Sequence, residues 1–287
     1  MTDSWHDIID PEYFEKLHQK VKKNELDKLS DLEKAINFAR IELDKPMTLQ
    51  PMALSYGQDW SGAPLCVLGE GDYSCITGRS KSRKSFFKSA LMALYIGGNA
   101  TNHFPYWTTQ RKSEKFVIDI DTEQSRYHAQ RSFLRVEQMT GGGRYPKYQA
   151  YALRRHTPSE RFAMVEKIIE TYKSDIGLIS IDGYSELIED TNDNVQSARL
   201  SDKLMEWTDK YQFHITGVLH TNPDGQKMRG HIGSNVGRYA SSVMKVEAHD
   251  TEPRSVVHHI LARDEPFNSF EFEIRQGLPC HIDSQIY

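Results

Sequence analysis

Two rhythms divide the chain. Through the first fifty residues apolar positions recur every three or four residues in a highly charged background, the spacing of amphipathic helices. One helical stretch is expected from near Pro11 through KLHQKVKK. A second opens with Ser30 and Glu33 in capping-box spacing and places Leu32, Ala35, Ile36, Ala39 and Leu43 on one face. From Leu65 onward short apolar runs take over. CVLGE, YSCITG, KFVIDID, YQAYAL, IGLISID, HITGVLH, VMKVEA, HHILAR and FEFEI read as strands. Helical patterns follow Lys84 and Glu123 and cover Ser159–Lys173 and Asn194–Tyr211. Strands separated by helices of this length predict an α/β fold, a mostly parallel twisted sheet flanked by helices with right-handed crossovers. The last strands follow one another closely, which predicts an antiparallel C-terminal edge. The division expected is residues 1–50 as a short helical N-terminal cap or subunit-docking segment, and 51–287 as the α/β domain.

Composition narrows the class. The 287 residues are 38% hydrophobic and 26% charged, with a net charge of −4, which excludes long disorder and a wholesale basic coat. No apolar run approaches the length of a membrane span, and the acidic start MTDSWHDIID lacks the order of a signal peptide. Cys66, Cys75 and Cys280 form an odd set without metal-ligand spacing, so a reducing cytoplasm is the expected setting.

The most informative segment is Tyr73–Phe87, where a strand runs into a polar loop and then into Lys84-Ser85 at the head of an apolar helix. In that order, backbone N–H groups and a helix N-terminus converge on phosphate. The candidate binding residues are Gly78, Arg79, Ser80, Lys81, Ser82, Arg83, Lys84, Ser85 and Phe86. Lys84 would reach the β- and γ-phosphates of ATP, and the Ser85 hydroxyl would ligate Mg²⁺. The spacing fits G-x-x-x-x-G-K-S except that Arg83 stands where the second glycine belongs. A side chain at a position of positive φ costs about 1–2 kcal/mol, so the loop is expected to be strained or rebuilt.

Three further strand ends complete a phosphate-transfer site. Ile176–Asp182 is an apolar strand ending in a carboxylate, so Asp182 is the second metal residue. Phe116–Asp121 leads to Glu123, which would share the crevice outside the strand ends and polarise a water. Asp119 and Asp121 read as capping or ion-pairing residues. His220 ends Ile215-Thr-Gly-Val-Leu-His and is a candidate γ-phosphate sensor.

Together these residues resemble a RecA-fold P-loop ATPase of the hexameric replicative helicases, close to the DnaB-like and plasmid RepA-like groups. The resemblance covers roughly residues 54–274 and rests on ITGRSKSRKS, IDIDTEQ, LISIDG, NDNVQSARL, VLHTN, MRGHIGS and ARDEPFNSFEFEI, in family order. It implies that Lys84 and Ser85 bind ATP–Mg²⁺, that Glu123 is the catalytic base and that Asp182 is the Walker B acid. It also implies that His220 couples hydrolysis to DNA contacts, and that Arg263 enters a neighbouring subunit's site. Arg229 and Arg238 are lesser candidates for that arginine. The lysine that such rings carry two places before the arginine is Leu261 here. The implied assembly is a homo-oligomer with the hexamer as reference, and a primase or replication initiator is the implied partner class.

Between Gln124 and Arg161 eight basic residues, Arg126, Arg131, Arg135, Arg144, Lys147, Arg154, Arg155 and Arg161, are interleaved with Tyr127, Phe133, Tyr145, Tyr148 and Tyr151. Basic groups beside aromatic platforms suit single-stranded nucleic acid, whereas a solvated helix face over core aromatics has the same pattern. Arg126, Arg131, Arg144 and Lys147 are the candidates there. Lys227 and Arg229 are the candidates in the glycine-rich loop after His220, which is expected to be mobile. The function expected is an ATP-driven motor on single-stranded DNA. The alternative is an ATP-gated DNA- or partner-binding protein with weak or no hydrolysis.

Overall fold

The computed structural model describes residues 30–46, 50–109, 115–222, 225 and 227–282. The chain divides into two compact units, 1–49 and 50–287. In the first, residues 30–39 are helical (α1), and Leu32, Ile36, Phe38, Ile41 and Leu43 are exposed. The helix expected near Pro11 lies outside the described residues.

In the second unit a nine-stranded sheet has the order β12-β11-β10-β9-β3-β8-β7-β5-β6. Its parallel part comprises β3 (Tyr73–Gly78), β5 (Phe116–Asp121), β6 (Tyr148–Ala152), β7 (Ile176–Asp182), β8 (His214–His220) and β9 (Ser242–Ala248). The antiparallel edge is β10 (Arg254–Ala262), β11 (Phe270–Arg275) and β12 (Leu278–Ile282). Both faces are covered, so the central strands are apolar throughout, and every residue of β7 is buried. Alternation sorts them: Val117 and Leu178 join one core, Ile118 and Ile179 the other. The first core packs under α2 (Lys84–Ile96) and α4 (Arg126–Met139), and the second under α5 (Pro158–Tyr172) and α6 (Asn194–Tyr211).

Helix starts follow capping chemistry. Thr157 and Glu160 form a reciprocal box ahead of α5, with Pro158 in its first turn, and the Asp193 carboxylate accepts from Val195 and Gln196 N–H ahead of α6. Helix α2 differs. It has no side-chain cap, which leaves its first N–H groups facing the loop between Gly78 and Lys84.

Several elements depart from expectation. A small antiparallel sheet, β1 (Met52–Gln58), β2 (Pro64–Gly69) and β4 (Trp107–Thr108), precedes and flanks the main fold; α3 (Ala100–His103) is a single turn. Strand β10 begins at Arg254 rather than His258. The glycine-rich stretch expected as a mobile loop is a helix from Gly230 to Tyr239 (α7). Its glycines serve packing: a Cβ on Gly233 or Gly237 would stand 2.5 or 2.4 Å from the Met228 side chain.

Candidate functional site

Strand β3 delivers a loop whose backbone is set by close approach. Gly78 has φ 147°, and a Cβ there would lie 2.2 Å from the Val246 carbonyl oxygen. Lys81 and Arg83 both adopt left-handed backbone, φ 65° and 71°. Arg83 therefore holds the conformation glycine supplies elsewhere. Its guanidinium turns away from the crevice, donating at 3.0 Å to the Arg254 carbonyl and at 3.0 Å to the Ser255 hydroxyl.

Lys84 heads α2 and folds back over the loop. Its Nζ donates to the carbonyls of Gly78 (2.9 Å) and Arg79 (2.7 Å). Burial lowers its pKa to about 8, against the opposing pull of Asp182 and Glu123. Lys84 is thus a cation with neutral partners, placed to exchange carbonyls for an anion.

Asp182 ends β7 beside this helix. Burial raises its pKa, while Lys88 and a hydrogen bond from the Ser85 side chain work the other way. Its Oδ2 is buried without a hydrogen bond. On β5, Asp119 and Asp121 are the ion-pairing and capping residues expected. Asp119 pairs with Lys88 at 2.7 Å and accepts from Ser180 (2.6 Å) and Tyr148 (2.9 Å). Asp121 accepts from the N–H of Glu123 (3.0 Å) and Gln124 (2.7 Å), which fixes the turn carrying Glu123. Burial raises Asp121 to about 6, and its Oδ2 is also unbonded. Three buried carboxylates thus face one buried ammonium, a surplus of negative charge at the Ser85–Asp182 contact. That donor set fits a hard divalent cation such as Mg²⁺, held by one hydroxyl and by Asp182.

Glu123 projects past the strand ends, its Oε2 3.4 Å from His220 Nε2. Registers Asp121↔Asp182, Asp182↔Val218 and Ile76↔Val218 bring these strand ends level with the loop. A cavity of about 920 Å³ opens there, lined by Arg79 and Ser80 of the loop, Thr122, Glu123, His220, Arg154 and Arg229 among others. A second basic hollow of about 450 Å³ adjoins it, lined by Gln124, Arg126, Ala152, Arg154, Arg155 and His156.

The other basic candidates scatter. Arg131 lies along α4 over the Tyr127 ring, and Lys227 is exposed beside the crevice loop. Arg144 and Lys147 precede β6, at the end of the sheet opposite Glu123. Arg238 and Arg263 are also at that far end. Ala262 pairs with Ser242, which is level with Ser74 at the start of β3. Arg263 bonds there to the Tyr239 carbonyl (3.2 Å) and faces Asp72 (3.5 Å). Four of the five interleaved aromatics belong to the protein interior: Tyr148 holds Asp119, Tyr145 donates to the Lys115 carbonyl, Tyr151 meets Tyr172, and Phe133 packs on the core. Only Tyr127 among them is largely exposed.

Sequence reasoning missed Lys88, whose signal was a lysine inside the apolar run KSFFKSALMALYI. It also missed Gly183, where φ is 115° and a Cβ would stand 2.4 Å from Thr122 Oγ1 and 2.9 Å from Glu123 Cγ. Arg161 is a clamp, donating to the carbonyls of Leu153, Arg154 and Glu186 and pairing with the Glu186 carboxylate.

No protein-family model matches the chain, and no curated protein matches it in sequence. Solved structures do. The RadB recombinase superposes with a TM-score of 0.53 at 13% identity, covering 78% of this chain and 94% of its own. The ATPase domain of a helicase superposes with a TM-score of 0.53 at 10% identity, covering 75% of this chain and 86% of its own. The fold is RecA-like, with the phosphate-type loop at the strand end where that fold carries one.

Proposed function

We propose that the chain is an ATP hydrolase of RecA type that acts as a motor on single-stranded DNA in a homo-oligomer. One observation carries the reading: Lys84 and Ser85, Asp182, Glu123 and His220 come from four separate strand ends and meet around one open crevice. Ser85 and Asp182 would hold Mg²⁺, which supplies charge neutralisation to the phosphate oxygens when bound. Lys84 would leave the Gly78 and Arg79 carbonyls for the β- and γ-phosphates. Glu123, oriented by Asp121 and exposed to the crevice, would take the proton of the attacking water, and His220 would register the γ-phosphate through its contact with Glu123.

The basic hollow beside the crevice, with Arg126, Arg154 and Arg155, suits a phosphate backbone, and Arg229 adds charge on the crevice side. The exposed apolar side chains of residues 32–43 suit a subunit-docking role for the N-terminal segment. No helix among the described residues is long and apolar enough to cross a membrane.

Phosphate release with and without single-stranded DNA, beside Glu123→Gln, tests this reading. The expected result is turnover stimulated by DNA in the wild type, and nucleotide binding without turnover in the variant. Nucleotide binding with negligible wild-type turnover would replace the motor with ATP-gated binding.

A further inference from the structure

We propose that Arg83 is a positioning residue: through Ser255 it fastens the phosphate loop to β10, so the loop holds its binding shape before a nucleotide arrives. The proposal rests on the nucleotide-binding reading of this loop and adds how its shape is kept. Residue 83 sits at φ 71° and ψ 25°, a conformation that an L side chain resists and that glycine ordinarily fills. The side chain present there is engaged. Its Nη1 donates to the Arg254 carbonyl and to the Ser255 hydroxyl, each at 3.0 Å. The Ser255 hydroxyl donates in turn to the Ser82 carbonyl at 3.1 Å. Two consecutive loop residues are therefore tied to one buried serine, a closed triangle of a charged donor, a hydroxyl and two carbonyls.

The anchor is rigid. Ser255 is fully buried, and β10 is paired on both sides at this level, with Ala248 of β9 and Phe272 of β11. Arg254 is itself held by Glu252 and Glu271. On the loop's other limb, Lys84 grips the Gly78 and Arg79 carbonyls. A glycine at 83 would accept the backbone angle without strain but would leave the loop free to leave it. Arginine reverses that balance, because the strain is met by bonds that exist only in this one shape. The strut also points away from the phosphate side, so the loop's N–H groups stay available.

The test uses the full chain, a fluorescent non-hydrolysable ATP analogue with Mg²⁺, and the variants Ser255→Ala, Arg83→Gly and their double. Amide exchange of residues 79–87 is followed without and with the analogue. In each variant the nucleotide-free loop is expected to exchange faster and to regain wild-type protection at saturating analogue. Analogue affinity is expected to fall about tenfold in Ser255→Ala, the worth of bonds to a charged donor. With ATP the KM rises while kcat is unchanged, because bound phosphate then shapes the loop. The double variant is expected to be no weaker than the weaker single, because both residues serve one strut.

Unchanged exchange and affinity in both singles, or losses that multiply in the double, would overturn the strut. Arg83→Gly keeps the backbone conformation accessible, so misfolding of one variant leaves the other to decide. A wild type that binds no analogue overturns the nucleotide reading instead. Exchange in the nucleotide-free proteins then judges the strut alone, with faster exchange supporting it and equal exchange refuting it.

Discussion

Replacing Lys88 by methionine isolates the charge beneath the site. Its Nζ is fully buried, 2.7 Å from Asp119 Oδ1 and 3.7 Å from Asp182 Oδ2. Burial works against the ammonium, yet Asp119, Asp182 and Asp121 outweigh it and hold Lys88 above its ordinary pKa, so it is charged at neutral pH. Methionine keeps the length of the side chain and removes only the charge. Asp119 would retain the Ser180 and Tyr148 hydroxyls but lose its counter-ion, with two other carboxylates nearby. Breaking one side of a buried pair costs about 3–5 kcal/mol. For a domain of this size that lowers Tm by about 10–15 °C.

The companion variant Lys88→Met with Asp119→Asn removes both charges and should recover most of that loss, because an uncompensated charge, more than a missing bond, carries the cost. Urea and thermal unfolding followed by circular dichroism would measure both. A single variant within about 1 kcal/mol of wild type, or a double as unstable as the single, would refute the argument that Lys88 is the counter-ion of these carboxylates.

Two further outcomes follow from local geometry. Gly183→Ala places a Cβ against Thr122 and Glu123, so kcat for ATP should fall about a hundredfold through displacement of Glu123, a loss read by steady-state phosphate release. His214 is buried, donating from Nδ1 to the Gly69 carbonyl while its Nε2 accepts from the Ser74 hydroxyl, and burial lowers its pKa from 6.5 to about 4. Between those values the unfolded chain binds a proton that the folded one refuses. Stability is therefore full above pH 6.5 and declines by about 3 kcal/mol as pH drops through 4. His214→Asn should flatten that decline, as seen in urea midpoints at neutral and acid pH.

The parallel core was legible because strands buried on both faces read as unbroken apolar blocks, Ile176–Asp182 most clearly. The same logic placed Asp182 and Glu123 at one end of adjacent strands. What escaped depends on contacts far apart in the chain. Strand β4 is two residues long, and β12 carries a proline, so neither has a pattern to read. The glycines of α7 signal a loop locally, and only Met228 packed against them explains a helix. The missing loop glycine suggested weakness, because nothing near Arg83 announces a serine at position 255. Tyr148 and Tyr145 looked like base-stacking platforms until Asp119 and the Lys115 carbonyl were found to claim their hydroxyls.

The arginine that would complete hydrolysis can be assigned by distance. Arg263 follows β10, which stands five strands from β5 and Glu123, a lateral separation of roughly 24 Å. It also lies at the end of the sheet away from the loop, tied to Asp72 and the Tyr239 carbonyl. No side chain spans that gap, so within one chain Arg263 cannot touch the phosphate that Lys84 would hold. If it acts, it acts on a second copy. Mixing makes this measurable. Glu123→Gln subunits lack a working crevice but keep the arginine, and Arg263→Ala subunits have the reverse defect. Each is expected to be inactive alone. In an equal mixture about a quarter of the interfaces would pair an intact crevice with an intact arginine, so turnover should return to about that fraction of wild type. Arginines already in the crevice, Arg154 and Arg229, would need no second copy. Full activity of Arg263→Ala alone would pass the role to them, and an inactive mixture would show that no arginine crosses between subunits.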